Sequence, residues 1–378
     1  MNTLSTFLAV PLIALGATSH ATETVVEWGY DSNPHKISSP DSGAQFTRAQ
    51  IKHNGEKVLE QQQKLKYSLR LDSYFYEGGS TAADNHRFDG RIRWANRFKI
   101  GKRTANFLVT GDMRSERKTY FSQSQRQVAE TSSGDSLEDR FNYDSLKMAG
   151  EFIYRFDRQK SLSLHSYVTR RDYQEDYSDL DIESLDYTEV NLQPSFRYKT
   201  GNGSYVRAFV YHKVRYYDEL MNDNLDGRNI EGDEVELTMQ GYGILYKRNI
   251  SKRLDIKVYL NGYFARDNAD GYRDLNYQKL EFSGNYAFDH GGLLSWRTNL
   301  YSRDYLEDSA RPPESETGNS GRLREGVFSE VIYSYPLINI DGNPLRWQLR
   351  ATGEWEDNSD DYFTYDRQIM ATGLHYQF

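Results

Sequence analysis

The chain closes on IMATGLHYQF, residues 369–378, and the reading of those ten residues decides the fold. Met370, Thr372, Leu374, Tyr376 and Phe378 are apolar or tolerate an apolar medium. Ala371, Gly373, His375 and Gln377 between them are small or polar. Alternation at period two describes a strand with one face in an apolar phase and the other in a wetter one. Composition narrows what that apolar phase is. The mean hydropathy is -0.82 and 27% of residues are charged, yet 14% are aromatic, 30 of them Tyr. A disordered chain lacks such aromatics. A helical membrane protein needs apolar runs of about 18 residues or more, and the sequence contains none. A transmembrane barrel hides its hydrophobicity, because only alternate residues meet lipid.

The same alternation recurs upstream. FDGRIRWANRF (88–98) places Phe88, Gly90, Ile92, Trp94 and Phe98 against Asp89, Arg91, Arg93 and Arg97. LDIKVYLNGYF (254–264) sets Leu254, Ile256, Val258, Leu260, Gly262 and Phe264 against Lys257, Tyr259, Asn261 and Tyr263. LRWQLRATGEW (345–355) behaves alike. The connections alternate in length. Short ones are KIGKR (99–103), DRQK (157–160), TGNG (200–203), RNISK (248–252) and DHGG (289–292). Long polar ones cover 115–142, 172–186, 218–233 and 306–323. A soluble sandwich has no reason to sort loop length by parity, whereas membrane barrels keep tight turns at one rim and long loops at the other.

These patterns predict an all-β fold, a transmembrane antiparallel up-and-down β-barrel of 16 strands. VVEWGY (25–30) and QFTRAQIK (45–52) form its first hairpin, and HNGEK (53–57) is a short turn. The alternative is 14 strands with residues 22–58 as a periplasmic tail or plug. FLAVPLIALGA (7–17), followed by Ser19-His20-Ala21, reads as a signal peptide over residues 1–21. The barrel proper is then 59–378, preceded by the 22–58 segment.

Met370, Thr372, Leu374, Tyr376 and Phe378 at the chain end resemble the C-terminal signature of Gram-negative outer-membrane barrels. That resemblance implies an integral multi-pass porin-like protein of the outer membrane. It also implies contact with outer-membrane lipid and lipopolysaccharide, and recognition by the barrel-assembly machinery. EWGYDSNP (27–34) is similar to the first strand of surface lipoprotein assembly modifier barrels. This second likeness implies, as an alternative, an assembly or export factor for surface lipoprotein or polysaccharide.

Catalytic patterns are absent from the sequence: there is no G-x-S-x-G and no H-E-x-x-H. His165 and His212 are mid-strand without an identifiable partner, so the chain is read as no enzyme, with an outer-membrane hydrolase as a second alternative. NDNLDGRNIEGD (222–233) departs from a calcium loop in its closing residue and apolar position, leaving a solvated acidic loop. Neither metal nor cofactor is expected.

Alternation assigns Lys64, Lys66, Arg70, Arg91, Arg93 and Arg97 to the lumen. Farther along it adds Lys147, Arg155, Arg197, Arg207, Lys213, Arg215, Lys257, Arg297, Arg346 and Arg350. Inward acids come out fewer: Asp72, Asp89, Asp112, Glu151, Glu189, Glu236, Glu281 and Glu354. Charges belong inside in any such barrel, since Arg or Lys facing lipid costs about 2–4 kcal/mol at the midplane. A surplus of bases is not required by that rule, and a basic pore wall enriches anions. The expected function is therefore passive diffusion of small anionic or saccharide solutes, with no nucleic-acid partner and the oligomeric state left open.

Overall fold

The computed structural model describes residues 19–38, 43–60, 62–122, 127–131, 133–173, 183–201, 203–224, 229–309, 321–359 and 363–378. Its first strands are β1 (Ser19–Asp31), β2 (Ala44–Glu60), β3 (Gln63–Tyr76), β4 (Asn85–Ile100) and β5 (Arg103–Lys118). A small hairpin of β6 (Phe121–Ser122) and β7 (Gln127–Val128) stands apart from them. Next come β8 (Tyr143–Arg155), β9 (Lys160–Tyr173), β10 (Tyr187–Gly201), β11 (Ser204–Asp223) and β12 (Asn229–Asn249). The chain ends with β13 (Leu254–Arg266), β14 (Leu275–Ala287), β15 (Leu293–Ser309), β16 (Gly321–Ile340), β17 (Asn343–Asn358) and β18 (Tyr365–Gln377). All but β6 and β7 join one closed antiparallel barrel of 16 strands, each paired with its sequence neighbour.

Closure is made by β18 on β1, with Leu374 opposite Val26 and Met370 opposite Tyr30. Thr22 and Phe378 exchange both backbone hydrogen bonds, at 2.7 and 2.8 Å. A strand has a free edge only until it is paired, and this pairing removes both edges. The terminal aromatic thus sits on the last rung of the seam. The N-terminal hairpin belongs to the barrel, which excludes the 14-stranded alternative.

One face of every strand carries large apolar side chains with nothing of the protein over them. Val210 is 56% exposed, Met370 60% and Ile92 48%. The neighbouring positions in register continue this belt around the cylinder, through Met113, Met148, Val168, Leu192 and Ile244. A continuous apolar belt on a closed barrel, with every ladder bond satisfied, is the arrangement lipid requires. Near the tight turns it is edged by aromatic pairs, among them Tyr376–Phe378, Tyr286–Phe288 and Tyr154–Phe156, with centroids 5.4, 4.7 and 5.2 Å apart. Trp28, Tyr30, Phe75 and Trp355 edge it toward the long loops.

Three expectations need correction. HNGEK is strand, not turn: Gly55 is paired with Tyr67 inside β2, which runs on to Glu60 before β3 opens at Gln63. Asn-Gly is a turn signal in isolation, but here a Cβ on Gly55 would stand 2.4 Å from the Tyr67 ring, so the glycine makes room for an aromatic cross-strand neighbour. The polar stretch 218–233 is mostly ladder, because β11 reaches Asp223 and β12 starts at Asn229. About ten residues suffice to span, so strands of 20 and 21 residues overshoot the bilayer at the loop rim, and their polar ends need no lumen. Glu236 pairs with Tyr216 on the outward face of that projecting part, not in the lumen.

Residues 1–18, which hold most of the expected signal peptide, lie outside the described residues, as do 174–182, 225–228 and 310–320 of the long connections. Ser19, His20 and Ala21 continue β1 opposite Glu56, Gly55 and Asn54.

Candidate pore lining

The inward face is charged and aromatic. Register sets Lys66 opposite Arg93, Arg70 opposite Asp89, Arg91 opposite Asp112 and Lys147 opposite Asp112 from the other side. It continues through Arg197 opposite Arg207 and Glu189 opposite Arg215 to Ile332 opposite Arg350. All of these lie on the face away from the apolar belt. The Arg91 side chain is 63% exposed there and Lys66 57%, which describes a wall that meets water.

The basic residues divide into two groups by their partners. Lys64 and Lys66 both reach Glu56, at 2.8 and 2.5 Å. Arg70 meets Asp72 at 2.5 Å, Arg91 meets Asp112, and Lys257 meets Glu281 at 2.6 Å. Lys213 and Arg215 share Glu189 at 3.4 and 2.8 Å, while Arg297 stands 3.7 Å from Glu330. Arg350 lies 3.0 Å from Glu27, and Arg346 donates to the Gly291 carbonyl at 3.1 Å. The second group is Arg93, Arg97, Lys147, Arg155, Arg197 and Arg207. Among the described residues none of these six has a carboxylate within the 4.0 Å of an ion pair.

Inward acids are more numerous than alternation suggested, and so are inward bases, since Arg48, Arg114, Arg171, Arg324 and Arg367 also lie on that face. Glu23, Glu27, Asp31, Glu56, Glu330 and Glu356 share the inward face with the eight acids already named, less Glu236. Glu23, Glu27 and Asp31 stand four residues apart on the inward face of β1, a signal of which the short VVEWGY reading kept only Glu27.

Around the closing seam these acids build a dense network. Glu27, fully buried, accepts from Arg48 at 2.9 Å, from Gln348 at 2.9 Å and from Arg350 at 3.2 Å. Arg48 also forks onto Asp72 at 2.8 and 3.0 Å. Higher up, Arg367 grips Asp31 at 2.5 Å and lies 3.5 Å from Glu354, while Tyr76 donates to Asp31 at 2.8 Å. Charge-assisted, partly bidentate bonds of this kind fix side chains rather than leave them available to a passing ion.

The opposite wall is built from β8 to β13. Arg171 lies 4.1 Å over the Tyr143 ring and Arg215 4.3 Å over Tyr187. Lys147 stands 3.5 Å over Tyr167. Such contacts hold cations by ring quadrupoles without neutralising them. A cavity of ≈ 240 Å³ opens between Arg91, Arg93, Asp112, Lys147, Glu151 and His165. His212, by contrast, pairs with Leu192 and Gln240 on the outward face. Among the described residues no three or more His, Asp or Glu are grouped to hold a metal ion.

No family model matches the chain, and no curated protein does. Solved structures resemble it over nearly its whole length. Acinetobacter baumannii OccAB3 is 11% identical, with 96% of this chain and 99% of that chain covered and a TM-score of 0.46. For a BenF-like porin from Pseudomonas fluorescens Pf-5 the values are 10%, 96%, 100% and 0.47. For Pseudomonas aeruginosa OccK2 (OpdF) in complex with glucuronate they are 9%, 95%, 97% and 0.44. Identities this low leave the pore linings free to differ, so function has to be read from this chain's own side chains.

Proposed function

We propose that the chain is a porin-like channel of the Gram-negative outer membrane through which small anionic solutes, including acidic saccharides, diffuse passively. Sixteen strands make a cylinder wide enough for an aqueous lumen. The observation that carries the sign of the solute is a cluster of inward arginines without a carboxylate, Arg93, Arg97, Arg155, Arg197 and Arg207. They occupy β4, β8, β10 and β11, within the six successive strands from β4 to β11 on one side of the wall. Their fields add across neighbouring strands about 4.8 Å apart, within a Debye length of about 8 Å at physiological salt. Focused in a lumen with low-dielectric walls, that field raises the local anion concentration. Lipopolysaccharide at the loop rim and the barrel-assembly machinery at β18 are the macromolecular partners of this reading.

The test is the reversal potential of the purified barrel in a planar bilayer under a salt gradient. Anion preference that weakens as salt rises is expected. Cation preference at low salt would show that the acids of the rim set the field instead.

A further inference from the structure

Strand β12 presents Gly241 and Gly243 to the lumen where its neighbours present long side chains. Two rings of β11 lie down on them. A Cβ at Gly241 would stand 2.2 Å from Tyr211 Cζ, and one at Gly243 2.2 Å from Phe209 Cζ. The centroids of Phe209 and Tyr211 are 6.3 Å apart with their planes at 27°. Tyr259 of β13 lies 6.3 Å from Phe209 at 22°. Two residues of strand span about 6.6 Å, so the rings tile side by side instead of stacking face to face. One face of the tiling rests on backbone, and the other is turned to the lumen.

Beside this flat apolar floor stands a guanidinium with unused capacity. Arg207 lies 5.8 Å from the Phe209 ring and donates through Nε to Ser195 Oγ at 3.1 Å. Its remaining N–H groups meet no carboxylate among the described residues. Glu281, directly across from Tyr259, is held by Lys257 at 2.6 Å and Lys279 at 3.5 Å. A planar fork next to an aromatic face suits a molecule that has both a ring and a carboxylate.

We infer that Phe209, Tyr211, Tyr259 and Arg207 form a binding subsite for a ring-bearing carboxylate, with the ring on the aromatic floor and the carboxylate on the Arg207 fork. The ring is either a pyranose, laid by its C–H face, or an aromatic one. The inference deepens the channel reading and rests on it for the route by which solute arrives.

The experiment uses the full barrel with four probes: galacturonate, benzoate, acetate as the ringless carboxylate, and glucose as the neutral ring. Isothermal titration of the detergent-folded barrel reads binding without conduction, and block of each protein's own open current in a bilayer reads it with conduction. Galacturonate, benzoate or both are expected to bind about fivefold or more tightly than acetate and glucose, as one aromatic contact of about 1 kcal/mol gives. Whichever binds identifies the ring. Phe209→Leu and Arg207→Gln should each weaken that binding about fivefold or more. Gly243→Ala, which forces the Phe209 ring off the wall, should weaken it while leaving every ligand-contacting group present. Equal binding of acetate and the ring acids, or binding unchanged in Phe209→Leu and Gly243→Ala, overturns the subsite. Anion preference without ring-acid binding also overturns it and leaves the channel standing. Ring-acid binding to a barrel that prefers cations supports the subsite and removes the proposed selectivity.

Discussion

Replacing Glu27 with Ala should destabilise the barrel at its seam, and the structure sets the scale. Glu27 is fully buried and bridges three strands: its own β1, β2 through Arg48, and β17 through Gln348 and Arg350. After the change Arg48 keeps Asp72 at 2.8 Å, but Arg350 keeps no carboxylate among the described residues. Its side chain is only 5% exposed, so water does not replace the lost partner. Removing one member of a buried pair costs about 3–5 kcal/mol, mostly because the other charge is left uncompensated. The assay is urea unfolding in phospholipid vesicles followed by tryptophan fluorescence, with heat-modifiable migration as a second probe. Adding Arg350→Met to Glu27→Ala should recover at least about half of the loss, since it removes the orphaned charge. Arg297→Ala, at a half-exposed pair 3.7 Å long, should cost no more than about 1 kcal/mol. A loss below about 1 kcal/mol for Glu27→Ala, or a double variant no better than the single, would refute the view that this network holds the seam.

Other outcomes follow from the same geometry. Arg93→Gln combined with Arg97→Gln removes two unneutralised charges and should move the low-salt reversal potential toward cations, with the difference shrinking in 1 M salt as the Debye length falls to about 3 Å; an unchanged potential would place the selectivity elsewhere. Deleting Phe378 removes its paired backbone bonds to Thr22, and Leu374→Arg puts a charge on the lipid face, at up to about 2–4 kcal/mol. Both should lower the folded, heat-modifiable fraction in outer-membrane preparations, and normal yields of both would contradict the face assignment. Epitope tags at Gly134 should be reachable by antibody on intact cells, and tags at Gly291 should not; labelling at Gly291 would invert the topology.

Period-two alternation was legible because the pleat imposes it residue by residue, with no knowledge of partners. It carried the barrel, the outward belt and the place of Phe378 on the apolar face of the last strand. What it could not carry was local chemistry overridden by a neighbouring strand. Asn54-Gly55 has the composition of a turn, and only the presence of Tyr67 across the ladder makes it strand. Nor does polarity mark the end of a strand once the chain has left the bilayer, which is why 218–233 and Glu236 were misplaced. Charge pairing was the least legible part. Lys64 and Lys66 share Glu56 through the register of β2 on β3, which the sequence disguises. The orientation of Phe209 and Tyr211 depends on the two glycines of the neighbouring β12, which the sequence of β11 alone does not show.

The lumen that results is divided, and the division bears on how such a pore could be both stable and permeable. Charges placed inside a barrel must either pair or stay hydrated, because a bare charge against a dry wall is costly. Around the seam the chain takes the first course. Glu27, Asp31, Asp72, Glu354 and Glu356 are matched with Arg48, Arg350, Arg367 and Arg324 in packed, largely buried contacts. From β8 to β13 it takes both, since Glu189 pairs with Lys213 and Arg215 and Glu281 with Lys257 while other bases have no carboxylate. Arg155, Arg197 and Arg207 keep their charge, and Lys147 and Arg171 are steadied by tyrosine rings that leave the charge in place. A matched pair contributes little net field, so on the proposed reading the potential along the pore comes chiefly from the bases without a carboxylate, Arg93 and Arg97 of β4 together with those of β8 to β11. On the proposed reading, stiffness and selectivity fall to different residues. Substitutions at Arg197 or Arg207 should alter what passes with little effect on unfolding, and substitutions at Glu27 or Arg350 should do the reverse. Measuring both readouts on all four variants tests that separation directly: parallel changes in stability and selectivity would mean that the two sectors are one network.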